Sequence, residues 1–232
     1  MDNIIKTFLH EHRNTLNNLT SFMLNYNKKV NLTRIVEPDE IIEKHYIDSI
    51  LPLILHNVPR GTITLDVGSG AGFPGVPVKI FRPDLDVTLL DSSRKRTDYL
   101  SALLGKIGVK CRVVTGRSEE LSHNPDFRER YGLVISRAVA NLAALCEYCL
   151  PFVEVGGMFL ARKGEGSEVV SAMNACVLLG GEVQEIVEYE LPSYEMANTI
   201  RPKRSLVVIK KVLQTPTKYP RRRINIVKNP IS

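Results

Sequence analysis

The sequence predicts an α/β fold: a seven-stranded, mostly parallel sheet ending in an antiparallel hairpin, with a helical extension in front. Three observations carry this. From residue 62 onward, short apolar runs alternate with helical patterns, and such alternation implies right-handed βαβ crossovers. The stretch "LDVGSGAGFPG" at 65–75 sets three alternating glycines behind an apolar run that ends in Asp66. The last two apolar runs, 183–191 and 205–211, leave no room for a helix between them. One of those two strands therefore runs antiparallel.

The elements follow in order. Ile5, Phe8, Leu9, Leu16, Leu19, Phe22, Met23 and Tyr26 recur at helical spacing over 4–26. Pro38 opens a second helical pattern, "DEIIEKHYIDSILPLIL". Pro59-Arg60-Gly61 marks a boundary. Strands follow at 62–67, 86–91, 110–116, 131–136 and 157–162. Helices are expected from near 74, over 93–108 with Gly108 as the stop, after 116, over 141–150 and over 167–179. Seven strands closing on a hairpin are the pattern of the Rossmann-like class I methyltransferase sheet. The chain divides into a helical extension (1–58), the sheet domain (59–213) and a basic tail (214–232).

With 232 residues, 44% of them hydrophobic, the chain suits one domain plus an appendage. No apolar run approaches the roughly 18 residues of a membrane span. The start, "MDNIIKTFLHEH", lacks the basic-then-apolar pattern of a secretory signal, so a cytoplasmic location without membrane partners is expected. Cys146 and Cys149 form a C-x-x-C, but inside a helical pattern and with no second Cys/His pair nearby. They read as buried, inert thiols, and no metal site is assigned. The five histidines are scattered; His45 could face the cleft or simply pack.

Charge is uneven. Residues 201–232 hold ten Lys/Arg and no Asp/Glu, whereas the first 200 hold 21 basic and 25 acidic side chains. A cationic block of this kind points to a polyanionic partner or a solvated tail.

A strand ending in Asp66 and followed by Gly68, Gly70 and Gly72 puts a tight turn at the carboxyl edge of a parallel sheet, where ligands bind. Dinucleotide enzymes hold a pyrophosphate on the N–H groups of the next helix. Here Pro74 and Pro77 have no N–H to give, and Phe73 adds bulk. A cofactor without phosphates fits better, and S-adenosyl-L-methionine is such a molecule. Asp91, at the end of the second strand, can accept from both ribose hydroxyls; alternatively it only caps the helix that follows.

At this point the chain resembles a known family. "LDVGSGAGFPGVPVKI", "VTLLDSSRKRTDYL", "VISRAVANL", "MFLARKG", "KRSLVVIKK", "NLT" at 31–33, "KHYIDSI" at 44–50 and "KYPR" at 218–221 are similar to the RsmG/GidB family of 16S rRNA guanine-N7 methyltransferases. The resemblance implies a Rossmann-like fold with a helical extension and methylation of guanine 527 in 16S rRNA. It implies cofactor contacts at Gly68, Phe73, Ser118, Glu119 and Arg137. The family often has Ala-Glu where this chain has Ser118-Glu119. The tail departs further, reading "RRRINIVKNP" where the family usually carries a glycine-containing basic segment.

The chemistry agrees. Guanine N7 has an in-plane lone pair and no proton, so its methylation needs positioning and desolvation rather than a base. Amino-nitrogen methyltransferases carry Asp/Asn-Pro-Pro-aromatic at the end of the fourth strand; this chain has "SRAVA". Arg137 is the one charged group expected near the methyl, on the cofactor carboxylate or an rRNA phosphate; a structural salt bridge is its plainer role. The cofactor residues are then Asp66, Gly68, Gly70, Gly72, Phe73, Asp91, Ser118, Glu119 and Arg137. Lys28, Lys29, Arg34, Lys218, Arg221, Arg222 and Arg223 are the rRNA contacts. Prolines 216, 220 and 230 argue for an extended strap rather than a packed helix, whose removal would leave cofactor binding unchanged. The partner is 16S rRNA, the 30S subunit or its assembly intermediate. The alternatives are a related methyltransferase acting on a small molecule or protein, and a non-catalytic rRNA-binding factor.

Overall fold

The structure is a computed structural model that describes residues 1–137, 141–163, 169–192 and 203–231. The chain enters through α1 (Asp2–Glu11) and α2 (Arg13–Asn27), then α3 (Pro38–Ile41), a π-helical turn (Ile42–Ile47) and α4 (Asp48–Leu55). The sheet domain runs β1 (Ile63–Val67), α5 (Gly75–Phe81), β2 (Asp86–Asp91), α6 (Arg94–Ile107), β3 (Arg112–Thr115), α7 (Ser118–Leu121) and β4 (Tyr131–Arg137). It continues through α8 (Leu142–Cys149), β5 (Val153–Lys163), α9 (Val169–Leu178), β6 (Gly181–Glu190) and β7 (Lys203–Lys211), and α10 (Arg223–Lys228) follows in the tail.

The described strands form one seven-stranded sheet in the order β3-β2-β1-β4-β5-β7-β6. β1 to β5 are mutually parallel, and β7 is antiparallel to both β5 and β6. The β6–β7 hairpin predicted from the missing helix is present. Apolar strand residues such as Leu65, Leu89 and Val134 are fully buried, as expected for a sheet covered on both faces.

The single helix expected over 4–26 breaks at His12, whose backbone leaves the helical region (φ −103°, ψ 13°). The break falls in the polar stretch Glu11–Arg13 and lets two apolar faces turn separately. Phe8 then meets Phe81 edge-on at 5.6 Å, and Phe22 and Tyr26 lie against Tyr99 of α6 at 6.0 and 5.1 Å. The extension shares one apolar cluster with the sheet domain.

The tail departs from expectation. It is not an extended strap: α10 packs on the sheet domain, with Ile226 at 0% exposure and Tyr219 at 7%. Arg128 donates to the carbonyls of Thr215 (2.7 Å) and Tyr219 (3.0 Å), and His123 donates to that of Pro220 (2.9 Å). Arg221, expected on rRNA, is instead committed to Glu147, through its Nε (2.9 Å), its Nη2 (2.7 Å) and its backbone N–H (2.7 Å). Glu147 is 0% exposed on α8, and a buried carboxylate requires such a partner. The prolines bracket the helix rather than prevent it.

Candidate active site

Strand order reverses between β1 and β4, which opens a crevice at the carboxyl ends of the strands. The glycine loop after β1 lies there, with Gly68, Gly70 and Gly72 all at positive φ (79°, 56° and 97°). Those conformations exclude other residues at low cost.

The loop has little N–H capacity left for an anion. Gly68 and Ser69 donate to the carbonyl of Leu90 (2.8 and 3.0 Å), and Gly72 and Phe73 donate to that of Ser69 (2.7 and 3.0 Å). Gly70 donates to Asp91 Oδ2 and Gly75 to Asp66 Oδ2, both at 2.9 Å. Pro74 has no N–H. These donors are spent on the loop's own shape, so the loop is a rigid shelf rather than a phosphate cradle.

A cavity of about 250 Å³ opens beside that shelf, lined among others by Gly68, Asp91, Ser118, Glu119 and Tyr148. Its scale is that of a nucleoside. Asp91 is 3% exposed and also accepts the backbone N–H of Ser93 (2.8 Å). It therefore both ties the loop to the following turn and presents its carboxylate to the cavity. Buried Glu119 has an Oε1 without a hydrogen-bond partner among the described residues. A buried acceptor with spare capacity on a nucleoside-sized cavity fits a ribose or adenine donor. The donor set thus fits the adenosine part of S-adenosylmethionine.

The other assigned cofactor residues sit elsewhere. Asp66 is 0% exposed behind the loop and anchors it at Gly75. Phe73 is turned inward, with the ring of His45 stacked on it at 4.2 Å and 5°. Gly70 and Gly72 shape the turn. None of these four lines the cavity. Burial pushes the Asp66 carboxyl up from 3.8 to about 7. Its folded form holds a proton more tightly than the unfolded chain does. The stability from that proton is complete below about 3.8 and is lost as pH rises to about 7. Asp66→Asn is therefore expected to gain stability relative to the wild type across that window. Denaturation of both proteins at a series of pH values checks this; parallel profiles would contradict it.

Arg137 ends β4 and is not among the residues that line this cavity. Its guanidinium donates to the Lys44 carbonyl (2.7 Å) and to His45 Nδ1 (3.1 Å), and passes over Phe73 at 5.4 Å. Because Arg137 can only donate, His45 carries its hydrogen on Nε2 and donates it to Thr33 Oγ1 (3.0 Å). Burial and the Arg137 charge push His45 down to about 3, so the ring is neutral. Its position in a π-helical turn, a feature common at functional sites, puts it in contact with both loop and guanidinium. Asp48 completes the group, 2.7 Å from Arg162, 3.6 Å from Arg137 and 4.0 Å from Arg204. Among the described residues, one carboxylate here faces three guanidiniums.

Exposed cations stand on the loop after α2, which Thr33 ties to His45, and on the tail. Asn27 holds the following loop by accepting from Leu32 (2.7 Å) and donating to the Thr33 carbonyl (2.9 Å). Lys28, Lys29 and Arg34 stand exposed on that loop, and Lys218, Arg222 and Arg223 on the tail. Cys146 and Cys149 are fully buried in α8, with Cys146 Sγ 3.4 Å from Cys176 Sγ. Among the described residues no group of three or more His, Cys, Asp or Glu could hold a metal ion, and no helix is long and apolar enough to cross a membrane.

Sequence reasoning gave Asp48, Tyr148 and Val227 no part in this region, and gave Arg223 only an rRNA role. Arg223 and Val227 line the same cavity as Gly68, Asp91 and Glu119, so the tail reaches the region that was expected to be independent of it. Asp48 alone had a legible signal, as a carboxylate inside an apolar helical run.

Comparison with known proteins supports the same assignment. The family described as GidB, rRNA small subunit methyltransferase G, matches residues 12–196. Ribosomal RNA small subunit methyltransferase G of Clostridium novyi (strain NT) is 42% identical over 233 residues, covering 99% of this chain and 93% of that protein. The protein of the same name from Acetivibrio thermocellus is 46% identical over 211 residues, covering 89% and 84%. Among solved structures, M. jannaschii TYW2 in complex with AdoMet aligns with TM-score 0.54 at 11% identity, over 77% of this chain and 80% of that one. Precorrin-6y C5,15-methyltransferase from Geobacter metallireducens aligns with TM-score 0.52 at 11% identity, over 70% and 87%. The structural matches establish the methyltransferase fold, and the sequence matches show that the chain belongs to the GidB family of small-subunit rRNA methyltransferases.

Proposed function

We propose that this chain transfers the methyl group of S-adenosylmethionine to N7 of guanine 527 in 16S rRNA, within the 30S subunit or its assembly intermediate. The observation that carries the N7 assignment is the end of β4. Among the described residues it presents a guanidinium, and the carboxylate beside it, Asp48, is 1% exposed and paired with Arg137 and Arg162 rather than free to take a proton. Asn141, the nearby amide, is spent capping α8 by accepting from Ala144 N–H (2.9 Å). His45 is neutral with both ring nitrogens engaged. A nucleophile that needs no deprotonation suits this edge.

When bound, the cofactor supplies an electrophilic methyl group. Asp91, Glu119 and Gly68 would hold its adenosine end. The cationic group around Asp48 offers Arg137 to an anion, the methionine carboxylate or an rRNA phosphate. The exposed cations on the 28–34 loop and the tail favour a polyanionic substrate over a small molecule. A ribosomal substrate implies the cytoplasm.

The test is methylation of unmodified 16S rRNA and 30S particles with labelled donor, followed by mapping of the modified base. Modification elsewhere, or on protein, would overturn the proposal. Asp91→Ala is expected to weaken product binding by about 1.5–3 kcal/mol, through loss of charge-assisted hydrogen bonds and of the Gly70 anchor. Calorimetry with S-adenosylhomocysteine reads this directly; unchanged affinity would leave Asp91 a turn residue only.

A further inference from the structure

The C-terminal segment has two working sides. On its inner side, Arg223 and Val227 of α10 line the same cavity as Gly68, Asp91 and Glu119. Val227 is 59% exposed, so an aliphatic side chain stands in water beside a nucleoside-sized space. A ring face seated there would cover it, and a guanidinium such as Arg223 stacks readily on aromatic planes. On its outer side, Lys218, Arg222 and Lys228 are exposed. A second opening of about 710 Å³ lies between α7 and this segment, lined in part by Arg117, His123, Arg222 and Arg223. The segment is fixed at two points, by Arg221 on buried Glu147 and by Ile226 in the core. It is therefore a placed element whose position both ligands can sense.

We propose that α10 is a wall shared by the two substrate sites: Arg223 and Val227 complete the cofactor pocket, while Lys218, Arg222 and Lys228 meet the rRNA phosphodiester backbone, so that cofactor and rRNA bind with positive coupling. Each ligand orders exposed side chains of this fixed wall, so the ligand that binds second has less to order. By linkage the two affinities rise by the same factor. The inference rests on the reading of the cavity as the cofactor site.

The experiment uses the full chain, an Arg223→Ala/Val227→Ser double variant and Asp91→Ala as a control. Both replaced side chains of the double variant are exposed, and its thermal unfolding should match that of the wild type. S-adenosylhomocysteine should bind the double variant about tenfold more weakly by calorimetry. Unmethylated 30S particles should bind the wild type about threefold more tightly when S-adenosylhomocysteine saturates it, and the double variant should lose that gain. Product affinity of the double variant within twofold of wild type, or a wild-type coupling factor of one or less, would overturn the inference. If Asp91→Ala also leaves product affinity unchanged, the cofactor-site reading has failed. If Asp91→Ala weakens it and the double variant does not, only the shared wall has failed.

Discussion

Gly75→Ala is expected to cost about 3 kcal/mol of stability and to abolish measurable cofactor binding. A methyl group at this position would stand 2.3 Å from Leu89 Cδ2, 2.7 Å from Asp66 Oδ2 and 3.0 Å from Asp66 Cβ. Neither neighbour can withdraw, because Leu89 and Asp66 are both 0% exposed. The Gly75 N–H also donates to Asp66 Oδ2 at 2.9 Å, so any displacement that relieves the clash breaks the anchor of the glycine loop. The loop carries Gly68 and holds Asp91 through Gly70, and both line the cavity proposed for adenosine. Gly105→Ala serves as the control. Gly105 lies inside α6, and a methyl group there meets nothing within 4 Å. It should stabilise the protein by about 0.5–1 kcal/mol through helix propensity alone. Chemical denaturation and calorimetry with S-adenosylhomocysteine on both variants separate a packing clash from a general intolerance of alanine. Near-normal product binding by Gly75→Ala would mean that the loop can re-form around the added methyl group.

The sheet was legible because its signals are local. Apolar runs, the Gly108 stop and the missing helix between the last two strands each act within a few residues, and the structure keeps them all. The glycine loop was legible in kind: the two prolines behind the alternating glycines remove N–H donors and argue against a phosphate cradle. The further finding, that the loop's donors are spent on Leu90, Ser69, Asp66 and Asp91, needs the neighbouring strand in place.

The tail was misread for a physical reason. Proline content suggested an extended chain, but the deciding interaction is long-range. Glu147 sits in "LAALCEYCL", a lone acid inside an apolar helical run. Such a residue needs a cation from elsewhere, and the only question is which one. Arg221, 74 positions away, answers it. Asp48, inside "IDSILPLIL", poses the same question and is answered by Arg162 and its neighbours. Both acids could be flagged from sequence, but their partners come from the topology.

Arg137→Ala is expected to lower the single-turnover methyl-transfer rate at least about 100-fold, a loss of roughly 2.7 kcal/mol of transition-state stabilisation. The guanidinium sits at the carboxyl end of β4, beside the switch point, and is 12% exposed. Its partners fix its orientation: the Lys44 carbonyl, His45 Nδ1 and the Phe73 ring hold it from three directions. Removing it deletes a positive charge at the carboxyl end of β4 and takes a donor from the Lys44 carbonyl and from His45 Nδ1, which costs about 1–3 kcal/mol of stability. Arg137→Lys separates the two effects. It restores the charge but not the planar fork, and should recover stability more fully than rate. The pH profile supplies the second reading. N7 carries no proton and His45 stays neutral down to about 3, so the wild-type single-turnover rate should be nearly flat from neutral to mildly alkaline pH. A log-linear rise over that range would mean that a proton leaves before methyl transfer, and would move the nucleophile from N7 to an amino nitrogen. Near-normal turnover by Arg137→Ala, with the flat profile intact, would instead reduce Arg137 to a strut that joins the π-helical turn to β4.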